Sequence, residues 1–211
     1  WLIDRVLRHI LVDVTGNTHR TEVCIDKLYS PDGSTGRLGL VEMRAFEMPP
    51  HSRMSLVQQL LVRSLLASFW EKPYEAELIK WGTALHDQML LPFYVTKDFE
   101  GVLMELSDRG YRFDLAWFAP HFEFRFPLFG EIRLDTVCLE VRGGLEPWHV
   151  LGEESTAAGQ SRYVDSSIER LQVRVDGMVE ERYKVLCNGW EIPMRPTGTN
   201  GQFIGGIRYR A

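Results

Sequence analysis

A chain of 211 residues is long enough to bury a substantial core, as one large domain or two small ones. With 45% hydrophobic and 25% charged residues it has the composition of an ordinary globular protein. The net charge of -5 argues against nucleic-acid binding, which needs clustered Lys and Arg, and no apolar run approaches the roughly 18 residues of a membrane span.

In chain order, Leu2, Ile3, Val6, Leu7, Ile10, Leu11 and Val14 recur at helical spacing, and Gly16 stands where a C-cap is expected. "HRTEVCIDKLYSPDGSTG" then reads as a short strand and a Pro-Asp-Gly turn. "GLVEMRAFEMPP" reads as a strand that Pro49 and Pro50 terminate. The next helix starts at Ser52 or Ser55, where Ser55 and Gln58 fit a capping box, and runs to about Trp70. It is apolar around most of its circumference, which predicts that it is well buried. Lys72-Pro73 closes it; a second helix is predicted over about 75–89, and a third from near Asp98 to just before Gly110, with Val102, Leu103 and Leu106 on one face.

After Gly110 the apolar period becomes two. Phe122, Phe124 and Phe126 alternate with His121, Glu123 and Arg125, and Val137, Leu139 and Val141 with Cys138, Glu140 and Arg142. "RLQVRVDG" and "YKVLCNGWEIPM" follow, the latter with an Asn188-Gly189 hairpin signal, while "GEESTAAGQS" is the best candidate for a mobile loop. The expected fold is α+β: helices packed on an antiparallel sheet in residues 1–110, then a mostly antiparallel β-sandwich in 111–211. The aromatics of "AWFAPHFEFRFPLF" would fill the sandwich core.

Glu42 and Arg44 lie two apart on a strand and so share a face, leaving Glu47 on the other unless a bulge intervenes. The same E-x-R unit recurs at Glu123/Arg125, Glu131/Arg133 and Glu140/Arg142. Such units can be solvated ion pairs, each worth at most about 1 kcal/mol, or a concave face that holds a divalent metal and phosphate. The ion-pair reading suits Glu131/Arg133 and Glu140/Arg142. The ligand reading suits Glu42/Arg44, because His19, Arg20, Glu22, Asp26 and Lys27 lie nearby.

His121, on the predicted strand face of Glu123 and Arg125, adds an imidazole that could ligate a metal. His86-Asp87 could be an acid/base pair or a helix-end contact. His149 is expected to pack beside Trp148, and Tyr163, Asp165 and Ser166 to lead into a strand. Cys24, Cys138 and Cys187 are far apart and lack nearby His, so neither a disulfide framework, a zinc motif nor a Cys–His–Asp nucleophile set can be assembled. Reduced thiols and the lack of a signal-peptide pattern lead us to expect a cytoplasmic protein. The start at Trp1 and the strand-like end "GGIRYRA" lead us to expect a piece of a longer polypeptide.

"GNTHRTEVCIDKLYSPDGSTGRLGLVEMRAFEMPPHSRMSL" closely resembles the amidoligase domain that follows a transglutaminase-like region in large bacterial proteins. The resemblance continues through "WGTALHDQMLLP", "WFAPHFEFRFP", "LEPWHVLGEE" and "RYVDSSIERLQVRV" and so spans nearly the whole chain. "LVEMRAFEMPP" also looks like a strand of glutamate–cysteine ligases, within the glutamine-synthetase-like carboxylate–amine ligases. The resemblance implies a curved antiparallel sheet that binds ATP and Mg²⁺, phosphorylates a substrate carboxylate and lets an amine attack the acyl phosphate. It implies a metal-ligand role for Glu42 and a phosphate contact for Arg44, with Arg20 and Lys27 as further phosphate contacts. Glu42, Arg44 and Glu47 are the expected catalytic residues; Arg125 is a further nucleotide contact, and Glu22, Glu123 and His121 are further metal candidates. Substrates would be a carboxylate and an amine, small or peptidic. Other acidic ligands would come from earlier strands of the parent, so this portion alone would be inactive. The alternative is a non-catalytic β-sandwich that binds or positions a partner domain.

Overall fold

The computed structural model describes residues 2–7, 11, 23–30, 33–146, 149–156, 159–179 and 182–210. Contacts divide the chain into two compact units, residues 1–52 and 53–211.

The first unit contains α1 (Leu2–Leu7) and a small antiparallel ladder of β1 (Val23–Cys24) with β2 (Glu42–Met43). The register pairs Val23 with Met43 and Cys24 with Glu42. Only two residues of "GLVEMRAFEMPP" are strand, so the expected long strand is cut to β2. The connection folds back on itself: Leu38 and Leu40 donate to the Lys27 carbonyl, Ser30 donates to that of Gly36, and a 3-10 turn covers Ser34–Gly36. Any side chain at Gly36 would run into Ser30, 2.6 Å from the Cβ it would need. Cys24 and Ile25 are buried.

The second unit is built on five antiparallel strands: β3 (Leu128–Leu134), β4 (Val137–Gly143), β7 (Ile168–Asp176), β10 (Arg195–Pro196) and β11 (Phe203–Arg210), in the order β10-β11-β7-β4-β3. β5 (His149–Thr156) pairs with β6 (Gly159–Asp165), and β8 (Leu186–Cys187) with β9 (Trp190–Glu191). The β8–β9 loop is the expected Asn-Gly turn, with φ of 49° at Asn188 and 82° at Gly189. Gly152–Thr156, predicted as loop, is paired strand, because Glu153, Glu154 and Ser155 find ladder partners in Arg162, Ser161 and Gln160.

The period-two alternation of β4 and β7 divides the large sheet into two faces. Val173, Val175 and Phe203 face one way and pack with Met178 and Ile192 into the main core, with Val137, Leu139 and Val141 against them. The other face carries Cys138, Glu140, Arg142, Arg170, Gln172 and Arg174, and helices dock on it. α4 (Pro92–Asp108) begins there. Its Phe93 N–H donates to Gln172 Oε1 at 2.9 Å, Leu91 lies over Gly206, and Leu145 donates to the Leu90 carbonyl. Phe99 of α4 stacks edge-on against Phe118 and Phe122, at 4.7 and 5.8 Å between ring centroids. The architecture is α+β with antiparallel sheets.

Four expectations change in detail. Residues 115–125 are helical, not strand: a 3-10 turn at Leu115–Trp117, capped by Asp114, leads into α5 (Ala119–Arg125). Of the helix predicted over 75–89, only α3 (Ala84–Asp87) forms, and α4 starts six residues before Asp98 because Pro92 suits a first turn. α2 (Ser52–Glu71) forms as predicted but is not buried around its circumference. Met54, Ser64 and Ser68 are its buried residues, while Leu56, Leu60, Leu66 and Trp70 are exposed. Its small-residue side is the one that docks: Arg109 donates to the Ser68 and Lys72 carbonyls and covers the helix C-terminus.

Candidate functional site

In the first unit, strand parity puts the Glu42 and Arg44 side chains together as expected. Arg44 Nε donates to Glu42 Oε1 at 3.0 Å and Nη2 to Oε2 at 3.1 Å, a two-point ion pair. That hydrogen bonding raises the Arg44 pKa. Glu42 is half exposed and lines a cavity of about 260 Å³ with Cys24, Lys27, Leu40 and Val41. Glu42 and Lys27 therefore share one concavity, and Arg44 is bound to its rim through Glu42. Glu47 is exposed beyond the end of β2. His19, Arg20 and Glu22 lie outside the described residues. Among the described residues no three His, Cys, Asp or Glu side chains come together to hold a metal ion. Among the described residues of this unit, Glu42 is the carboxylate that lines the cavity.

In the second unit the helical form of α5 breaks the predicted set of His121, Glu123 and Arg125, because residues two apart on a helix do not share a face. Glu123 turns to the sheet. Its Oε2 accepts from Arg142 Nη1 at 2.7 Å and its Oε1 from the Leu128 N–H at 3.1 Å, and these bonds hold its carboxyl below the usual range. The His121 ring lies 6.0 Å from that of Phe118, and both its nitrogens are buried without a hydrogen-bond partner. Arg125 is in the last turn of α5.

A cleft of about 500 Å³ opens between α4, α5 and the polar sheet face. Phe93, Phe122 and Phe126 form apolar walls, with Glu140, Arg142 and Arg174 among its polar lining. Glu140 is 5% exposed and pairs across the ladder with Arg174, Oε2 to Nη2 at 3.3 Å. Its Oε1 lies 3.2 Å from Arg142 Nε yet accepts no hydrogen bond. Burial pulls the Arg142 pKa down, but Glu123 and Glu140 outweigh it and leave it raised. The cleft thus combines aromatic walls with the ion-paired Glu140, Arg142 and Arg174. Glu131/Arg133 is a solvated ion pair, as the sequence suggested, and Glu140/Arg142 is an ion pair whose carboxylate is buried rather than solvated.

The side chains of His86, His149, Tyr163 and Asp165 lie outside what is described, as does Trp148. Asp87 is 4.0 Å from Arg195. Sequence reading missed Gln172, Arg174 and the buried pair of Glu146 and Arg170; the polar alternation within "RLQVRV" was the signal for Arg170, Gln172 and Arg174. No helix among the described residues is long and apolar enough to cross a membrane, and Cys24, Cys138 and Cys187 are all free thiols.

No curated protein and no solved structure matches the chain. One family model does, that of "Putative amidoligase enzyme (DUF2126)", over residues 1–211. The chain belongs to this amidoligase family.

Proposed function

We propose that the chain is part of an ATP-dependent ligase that joins a carboxylate to an amine. The family match over the whole chain carries this reading. The carboxylate oxygen attacks the γ-phosphorus of ATP, ADP leaves, and an acyl phosphate forms. The amine nitrogen then attacks the acyl carbon, phosphate leaves with the bonding pair, and the amine's proton passes to solvent. Activation is needed because a carboxylate holds its oxygen too firmly for an amine to displace it directly.

The first unit supplies the chemistry in this reading. Glu42, the carboxylate lining the cavity, would hold Mg²⁺ carried on the nucleotide, and the metal would neutralise phosphate charge when bound. Arg44 and Lys27 are the guanidinium and ammonium that meet phosphoryl oxygens, with Arg20 alongside them in the sequence. Lys27 and Glu42 on one cavity support this assignment over a non-catalytic module. Glu22 and Glu47 complete the proposed acidic set. The carboxylate and amine are small or peptidic, the rest of the parent polypeptide supplies further acidic ligands, and the reaction runs in the cytoplasm.

The test is ATP turnover by the full-length protein with panels of carboxylates and amines. Glu42→Ala should lower turnover by at least about 100-fold, the scale of losing one charge-stabilising group. Unchanged turnover removes Glu42 from the chemistry.

A further inference from the structure

On the polar face of the large sheet, Gln172 of β7 stands opposite Arg142 of β4 on one side and Gly206 of β11 on the other. Arg170 and Arg174, two positions away along β7, share its face. Gln172 is 3% exposed. Its Oε1 accepts the Phe93 N–H at 2.9 Å, which fixes which way round the amide sits. The N–H groups of Nε2 have no acceptor on these neighbouring side chains. Guanidiniums only donate, and Gly206 has no side chain and is covered by Leu91. Among the described residues Nε2 donates no hydrogen bond, so a nearly buried amide keeps its donor unspent.

Gln172 lines the cleft of about 500 Å³ between α4, α5 and this face. Small-molecule sites span roughly 300–1,000 Å³, so the cleft has the room of one. Its walls are the rings of Phe93, Phe122 and Phe126, which favour another flat ring, offset or edge-on. The charges on its lining are already answered. Arg142 pairs with Glu123 at 2.7 Å and with Glu140 at 3.2 Å. Arg174 pairs with Glu140 at 3.3 Å and with Asp176 at 3.0 Å, and Lys97 with Glu100 at 3.0 Å. An incoming anion therefore finds these cations occupied and the Glu123 and Glu140 carboxylates close by. The group that suits the Gln172 donor is a neutral acceptor.

We propose that the cleft binds a small molecule with a flat aromatic ring that carries a neutral carbonyl. The ring lies against Phe93, Phe122 and Phe126, and the carbonyl oxygen accepts from Gln172 Nε2. Phe93 serves twice: its ring is a wall, and its N–H holds the amide in the orientation that presents the donor. The site asks nothing of Glu42 and stands or falls separately from the ligase reading.

The experiment is a saturation-transfer NMR titration of the full-length protein with benzamide, acetamide and benzoate. Benzamide should bind. Acetamide keeps the carbonyl but lacks the ring, and benzoate brings a charge towards Glu123 and Glu140; each should bind at least tenfold more weakly. Gln172→Glu keeps an oxygen for the Phe93 N–H but removes the donor, and should weaken benzamide at least tenfold. Ala119→Phe puts a ring into the cleft from an exposed position, so it spares the fold and should abolish binding. Should Gln172→Glu unfold the protein, Ala119→Phe decides alone. The proposal is overturned if benzamide does not bind, or if acetamide or benzoate binds as tightly. Benzamide binding that Ala119→Phe, or a folded Gln172→Glu, leaves unchanged overturns it too.

Discussion

Glu123 accepts two hydrogen bonds, from Arg142 and from the Leu128 N–H, and the first of these is the larger cause of its lowered pKa. A carboxyl whose folded pKa is depressed stabilises the fold above its ordinary value of 4.5, and loses that contribution as pH falls through the lower folded value. Glu123 should therefore titrate below the unpaired glutamates in a carboxyl NMR titration, and Arg142→Ala should move its midpoint upward. An unmoved midpoint would mean that the bond to Arg142 does not form in solution. At this scale the sequence was partly readable. Glu42 and Arg44 were paired by strand parity alone, because their contact is local. Glu146 and Arg170 were not, because they stand 24 positions apart and meet only in the folded chain.

At the scale of elements, "FAPHFEFRF" shows why one periodicity can mislead. Phe122, Phe124 and Phe126 alternate as on a strand, but Phe118, Phe122 and Phe126 are also spaced by four, as on a helix. The helix wins: Pro120 suits its first turn, Phe118 and Phe126 are buried, and Phe124 is left exposed. For β4 and the Asn188-Gly189 hairpin no such competing pattern exists, and they formed where expected. The same scale separates α2 from α4. Leu106 of α4 is 1% exposed, so Leu106→Ala should cost about 2–5 kcal/mol of stability, the range for buried leucines. Trp70 of α2 is 91% exposed, and Trp70→Ala should stay within about 0.5 kcal/mol. Denaturant midpoints of the two variants check both; a large loss at Trp70 would mean that its ring packs against something in solution.

For the molecule as a whole, the division at residue 52 separates two very different amounts of buried structure. Residues 53–211 contain the five-stranded sheet, a core of Val173, Val175, Met178, Ile192 and Phe203 on one face, and α4 and α5 docked on the other. The described residues of 1–52 show one two-residue ladder, with Cys24 and Ile25 buried. A sheet covered on both faces meets the requirement for independent folding. Residues 53–211 expressed by themselves should therefore unfold in one cooperative transition by circular dichroism. Ile204→Ala, at 1% exposure on the helix-covered face, should lower its midpoint markedly, because a buried isoleucine truncated to alanine costs about 2–5 kcal/mol. A non-cooperative melt of the 53–211 piece would show that its core depends on chain outside it.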